Sequence, residues 1–209
     1  MEALSSINPD IIFIGGRLSD QYDSLSKIAP VIYLSTDYDK GVIKSTKDNV
    51  VNVAKIFNKT DEATKLTDSF DTRIAALATK AKGKNAIAGM VTNSSFNTMG
   101  NESRASLIMN EVGFTNLAEN INSTHGNESS FELLVEKNPE YIFALDRDSA
   151  INAKGAKLAE EVMNNALVKK TKASIDNKIF YLNPAAWYLV SGGITSTDIM
   201  IQDLEKALG

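Results

Sequence analysis

One pattern, Asn-Pro, acid, apolar run and arginine, is written twice in this chain: NPDIIFIGGR at residues 8–17 and NPEYIFALDR at residues 138–147. A short continuous apolar run behind a proline suits a buried parallel strand of the kind found where helices cover both faces of a sheet. In register, Glu2 matches Glu132, Pro9 matches Pro139, Ile12 and Phe13 match Ile142 and Phe143, and Arg17 matches Arg147. The interval between the copies is far too long for a solenoid, so the duplication predicts two similar lobes. Each lobe then sets one arginine at the C-terminal end of a strand, where open α/β sheets bind ligands. The two arginines are expected to face each other across a cleft.

The rest of the chain fits an α/β fold with mostly parallel sheets flanked by helices. Residues 11–14 and 31–34 read as strands around a short helix. Residues 45–82 turn helical: Val50, Val51, Ala54 and Phe57 share one face, and Leu66, Phe70, Ile74 and Leu77 form a second stripe. Thr60 is a fair N-cap between the two helices, and Gly83 stops the second. Strands are expected at 86–92, 95–99, 141–145 and 179–182. Helices are expected at 103–112, from 131 to before Pro139, at 154–170 and at 195–208. The organisation is thus the N-terminal lobe at 1–45, a bridging helical segment at 46–83 and the C-terminal lobe at 84–209.

The two copies have unequal flanks. Two strands, a helix and a loop precede the second Asn-Pro, whereas only residues 1–7 precede the first. Symmetry therefore predicts that the N-terminal lobe is incomplete as written, lacking two strands, a helix and whatever targeting signal preceded them. MEALSSINPD carries neither the basic nor the apolar region of a signal peptide. With 209 residues, 43% of them apolar and 23% charged, the chain can bury a real core. A net charge of −4 with dispersed basic residues argues against nucleic acid as a partner. The absence of cysteine removes disulfides, thiolate metal sites and thiol nucleophiles.

Taken together, EALSSINPDIIFIGGR, LSKIAPVIYL, NESRASLIMNEVGF, STHGNESSFELLVEKNPEYIFALDR, LVKKTKA and KIFYLNPAAWYL resemble the siderophore-binding proteins of bacterial ABC iron importers. The resemblance is to the class whose two lobes are bridged by a long helix, and within it to the catecholate-siderophore subgroup. It implies that Arg17, Arg104 and Arg147 hold the anionic ligand, and that His125 and Tyr188 complete the iron shell when the siderophore supplies too few donors. It also implies that Glu2 and Glu132 dock onto arginines of the membrane permease. The protein would then be an extracytoplasmic binding protein, either a membrane-anchored lipoprotein or periplasmic. It would have no intrinsic cofactor and would carry Fe3+ only as part of its ligand. If the first lobe is incomplete, self-association becomes a further expectation.

The residues that the resemblance implies have chemistry suited to such a ligand. Ferric ion is a hard cation that favours oxygen donors, and catecholate oxygens leave its complex anionic. Arginine stays protonated and offers planar, directional donors, each charge-assisted bond contributing about 1.5–3 kcal/mol. A bound trivalent ion favours the phenolate of a tyrosine whose reference pKa is about 10, and histidine must be neutral to coordinate.

Each residue also has a plain alternative. Arg17 alone could be a surface residue. Arg104 could pair with Glu102. His125, the only histidine, could be structural. Tyr188 beside Trp187 could be core, and Glu2 and Glu132 could simply be first-turn acids complementing a helix dipole. The competing classes are a same-fold binding protein for cobalamin or haem, and a two-lobed α/β metalloenzyme. No G-x-S-x-G elbow, H-E-x-x-H, P-loop or G-x-G-x-x-G is present, which leaves little basis for catalysis.

Overall fold

The computed structural model describes residues 1–118, 127–129 and 131–209. It divides into two compact units, Met1–Thr36 and Asp37–Gly209. In the first unit, helix α1 (Glu2–Ile7) ends on Asn8, whose left-handed backbone (φ 50°, ψ 62°) asparagine tolerates better than most residues. Strand β1 (Ile12–Ile14) follows, then a 3-10 turn over Gly16–Gln21, one helical turn α2 (Tyr22–Leu25) and strand β2 (Val31–Tyr33). β2 runs parallel to β1 with Val31 opposite Ile12. Strand alternation turns Ile12 and Ile14 inward onto Leu25 and Ala29, with Leu4, Ile28 and Val31 around them. Phe13, on the other face, is 41% exposed. Gly15 has to be glycine here, because a Cβ would stand 2.4 Å from the Leu34 carbonyl oxygen.

The second unit opens with helices α3 (Val42–Ile56) and α4 (Thr60–Ala81). Asn58 adopts φ 54° and separates them. Thr60, expected as an N-cap, is instead the first helical residue, with Lys59 in the cap position. The buried stripe of α4 is Ala63, Thr67, Phe70, Ile74, Leu77 and Ala81. Leu66, read from the sequence as part of it, is 58% exposed, and Phe57 lies exposed beyond the end of α3. The start of α3 is capped from far along the chain: both carboxylate oxygens of Glu111 accept its first N–H groups, from Val42 at 2.7 Å and Ile43 at 3.1 Å.

The sheet of this unit contains β3 (Asn85–Thr92), β4 (Ser95–Thr98), β5 (Thr115–Asn116), β6 (Asn127–Ser129), β7 (Tyr141–Asp146) and β8 (Ile179–Leu182). Its order is β6-β4-β3-β7-β8, with β5 also paired to β3. The pairings of β3 with β5 and β7, and of β7 with β8, are parallel. β4 is antiparallel to β3 and β6. The reversal is made by Asn93 and Ser94, both at positive φ (49° and 60°), the arrangement that joins antiparallel strands through two residues. Gly89 in β3 leaves room for Phe96 in β4, whose ring would lie 2.3 Å from an added Cβ. The expected α/β class with mostly parallel pairing is borne out, with β4 and β6 as its antiparallel margin.

Both faces of this sheet are covered. Ala86, Ala88 and Met90 of β3 and Tyr141, Phe143 and Leu145 of β7 pack with α4 and with helix α9 (Ile194–Leu208). The alternate residues Ile87, Val91, Ile142 and Ala144 pack with helices α5 (Phe131–Lys137) and α7 (Ala159–Met163). Each fully buried Leu, Ile or Phe contributes about 1.5–3 kcal/mol. Arg73 of α4 forks onto Glu205 of α9 through Nε (2.7 Å) and Nη2 (2.8 Å) and also meets Asp198. The helical segment 46–83 therefore packs with this unit.

Two expected helices are shorter than the sequence suggested. In 103–112 only Leu107–Glu111 is helical, as a π-type turn. In 154–170 the helix is confined to α7, followed by a 3-10 turn at Val168–Lys170. On its C-terminal side the ladder gives way to Asn165, whose Oδ1 accepts the N–H groups of Leu167 and Val168, both at 3.0 Å. No helix among the described residues is long and apolar enough to cross a membrane.

Candidate functional site

β3, β7 and β8 run in the same direction, so their C-terminal ends lie along one edge of the sheet. Helix α6 (Arg147–Ala150) begins immediately after β7 and puts Arg147 at that edge. The same edge receives Thr92, the last residue of β3. Past β8, a π-type turn over Ala185–Leu189 carries Tyr188. That turn is pinned from inside by Asp203 of α9. Its Oδ2 accepts the indole N–H of fully buried Trp187 (3.0 Å) and the main-chain N–H of Asn183 (2.8 Å).

Arg147 and Tyr188 meet directly: Nε of Arg147 donates to the Tyr188 hydroxyl at 2.9 Å. Nη1 of the same guanidinium donates to Thr92 Oγ1 (3.2 Å) and Asp148 Oδ1 (3.3 Å). Arg104 comes from the loop between β4 and the π-type turn at Leu107–Glu111. Buried Ser103 shapes that loop, its hydroxyl bonding the Gly100 carbonyl and accepting the Ala105 N–H. The guanidinium carbon of Arg104 lies 4.8 Å from the centroid of the Tyr188 ring, and that of Arg147 lies 5.7 Å from it. Two cations thus flank one phenol, in the range where a ring quadrupole attracts positive charge. All three side chains are half-buried. The bond to Tyr188 is the main reason the Arg147 pKa is raised above its ordinary value, so this guanidinium is charged at any working pH.

Tyr38, at the start of the second unit, also belongs to this neighbourhood. Burial pushes its phenol up while the charge of Arg104 pulls the other way. Beside Arg147 a cavity of about 310 Å³ opens between Asp148 and Leu158, with Ser149, Asn152 and Lys157 in its polar lining. Among the described residues, no group of three or more His, Asp or Glu is placed to hold a metal ion. The arrangement is suited to receive a preformed anionic complex on fixed guanidinium donors.

Arg17 belongs to the first unit, exposed in the turn that follows β1. Glu2 and Glu132 are exposed acids in the first turns of α1 and α5, which are equivalent helices in the two copies of the repeat. His125 lies outside the described residues. Sequence reasoning missed Thr92, Asp148 and Tyr38. The one available signal was the doubled acid around arginine in Leu-Asp-Arg-Asp, which the first copy, Gly-Gly-Arg-Leu, does not share.

The chain belongs to the periplasmic binding protein family, whose model matches residues 1–186. It is 33% identical over 210 residues to the petrobactin-binding protein YclQ of Bacillus subtilis, covering 99% of this chain and 65% of that one. It is 29% identical over 212 residues to the ferric-anguibactin-binding protein FatB of Vibrio anguillarum, covering 99% of this chain and 66% of the relative. The chain therefore spans about two thirds of the length of these relatives. Among solved structures it is similar to the periplasmic catecholate-siderophore binding protein VctP of Vibrio cholerae. There the TM-score is 0.92 at 31% identity, over 98% of this chain and 74% of that one.

Proposed function

We propose that this protein is an extracytoplasmic substrate-binding protein that captures a ferric siderophore of the catecholate type and hands it to an ABC permease. One observation carries the reading: Arg104 and Arg147 flank Tyr188 at the C-terminal edge of a parallel sheet. Catecholate oxygens are strong acceptors with net negative charge, and planar guanidinium donors held in place meet that demand better than a mobile ammonium. The names of the similar proteins, which bind petrobactin, ferric anguibactin and catecholate siderophores, point to the same ligand class. In this reading the iron arrives already chelated as cargo, and no bond is made or broken in the organic ligand. Arg17 adds a third guanidinium, and His125 and Tyr188 complete the coordination of ligands with too few donors. Glu2 and Glu132 present one acid from each copy of the repeat to the permease. The site of action is outside the cytoplasmic membrane, in the periplasm or on a lipid anchor.

The test uses the fluorescence of Trp187, which adjoins Tyr188 and is the only tryptophan. Titration with a ferric catecholate should quench it at sub-micromolar concentrations. Replacing Arg104 and Arg147 together by alanine should weaken binding about 100-fold or more, since each removes a charge-assisted contact. Unchanged affinity in that double variant would refute the reading. Loss of affinity for a tetradentate but not a hexadentate ferric catecholate in Tyr188→Phe would support iron ligation by Tyr188. Equal losses would exclude it.

A further inference from the structure

Asp148 is only 4% exposed, and both its carboxylate oxygens accept bonds from within the protein. Oδ1 accepts from the Thr92 hydroxyl (2.9 Å) and from Arg147 Nη1 (3.3 Å), while Oδ2 accepts the main-chain N–H of Asn93 (2.7 Å). A carboxylate removed from water at such a place is costly unless its charge is used. Its use is not to cap α6. Asp146 already does that, with Oδ1 accepting the Ser149 N–H at 2.8 Å and Oδ2 the Ala159 N–H at 2.7 Å. Nor does the repeated motif require an acid here, since the equivalent residue in the first copy is Leu18, 49% exposed.

We propose that Asp148 is the positioning residue of the ligand site, acting through Arg147 and not on the ligand itself. By accepting the hydrogen bond of the Thr92 hydroxyl, it turns a lone pair of that oxygen toward Arg147 Nη1, and it adds its own Oδ1 to the same donor. With Nε held by Tyr188 and Nη1 by this pair, the guanidinium is fixed at two of its three nitrogens. Among the described residues Nη2 makes no hydrogen bond, so its two N–H groups form the edge presented to an acceptor. Asp148 thereby aims one edge of Arg147 while its own oxygens stay turned to Thr92, Asn93 and Arg147. Interaction with an anionic chelate rests on the proposed function; the aiming of Arg147 does not.

Two measurements test this, and the first needs no ligand. In the 15N-labelled protein, the Arg147 Nε–H should exchange with water about tenfold faster in Asp148→Asn and Thr92→Val than in the wild type or Thr92→Ser. Equal exchange in all four proteins would overturn the proposal, whether or not any siderophore binds. The second is a double-mutant cycle read by Trp187 quenching with the ferric complex of 2,3-dihydroxybenzoate. Asp148→Asn should weaken binding about tenfold in the wild-type background and less than about twofold in Arg147→Ala. Equal losses in both backgrounds would mean a general structural role. Tighter binding in Asp148→Asn would mean that the carboxylate merely offsets positive charge, and either result would refute positioning. Failure of the wild type to quench with any ferric catecholate counts against the proposed function alone, and the exchange measurement then decides the role of Asp148.

Discussion

The two copies of the Asn-Pro motif start alike and end in different surroundings. Both follow a short helix that stops on a left-handed asparagine, Asn8 at φ 50° and Asn138 at φ 44°. Both then begin a strand in which the N–H of the matched isoleucine is received by the residue just before the next parallel strand: Ile12 by Pro30 at 2.9 Å and Ile142 by Lys178 at 3.0 Å. Beyond that point they diverge. Among the described residues β1 pairs only with β2 and buries one face, whereas β7 lies between β3 and β8 and is buried along its whole length. Arg17 is exposed, while Arg147 is tied to Tyr188, Thr92 and Asp148. The local motif thus puts an arginine at a strand end. Holding it in one orientation is done by neighbours from β3 and from the turn after β8, which the motif does not contain.

The largest consequence concerns the strands. Ile142 is fully buried in the core shared with α5 and α7, so Ile142→Ala should cost about 3–5 kcal/mol. Ile12 is 9% exposed in a cluster with few members, and the site can relax, so Ile12→Ala should cost about 2 kcal/mol. Urea unfolding combined with amide exchange resolved by unit would separate the two effects. Equal losses, or loss of protection in β7 upon Ile12→Ala, would break the contrast.

A smaller difference is electrostatic. In the second unit, the hydrogen bonds from Arg73 hold the Glu205 carboxyl below its ordinary range. A carboxylate with a depressed folded-state pKa contributes stability above its unfolded value, near 4.3, and that contribution is lost as pH falls through the folded value. Both groups are partly exposed, so Arg73→Ala should cost only about 1 kcal/mol at neutral pH. The gap between wild type and variant should close between about pH 5 and pH 3. Amide exchange should report the change in α4 and α9. A change of similar size in β1 and β2 would show that the first unit shares the same electrostatic support.

How much of this was legible in the sequence follows the same division. The α/β class, β1, β2, β7, β8 and the strand-end positions of Arg17 and Arg147 could be read from apolar runs and from the repeat, because those signals are local. The 154–170 helix was overread on its C-terminal side, where the ladder gives way to Asn165 Oδ1 accepting the N–H groups of Leu167 and Val168. The α4 stripe was misplaced at Leu66 because the packing face is chosen by α9 as well as by hydrophobic spacing. Glu111 capping α3, Asp203 holding the Tyr188 turn, and Thr92 with Asp148 holding Arg147 are all contacts between distant segments. No periodicity announces them. The resemblance to siderophore-binding proteins named Arg104, Arg147 and Tyr188 together, but their mutual geometry depends on those unannounced partners.

The asparagines give the finest test of where the copies part. Both occupy left-handed positions that glycine accepts without strain, so on backbone grounds alone Asn8→Gly and Asn138→Gly should be equivalent. Their side chains differ. Asn138 Oδ1 accepts the Lys172 N–H at 2.7 Å and so ties the end of α5 to the start of helix α8 (Lys172–Ile175). Asn8→Gly should therefore change stability by less than about 0.5 kcal/mol, whereas Asn138→Gly should lose about 0.5–1 kcal/mol with its hydrogen bond. Alanine at either position should add about 1 kcal/mol more for the left-handed backbone. Urea midpoints for the four variants would decide the matter. If the two glycine variants behaved identically, the difference between the copies would begin only at the strand; if they differ as expected, it begins one residue before the proline.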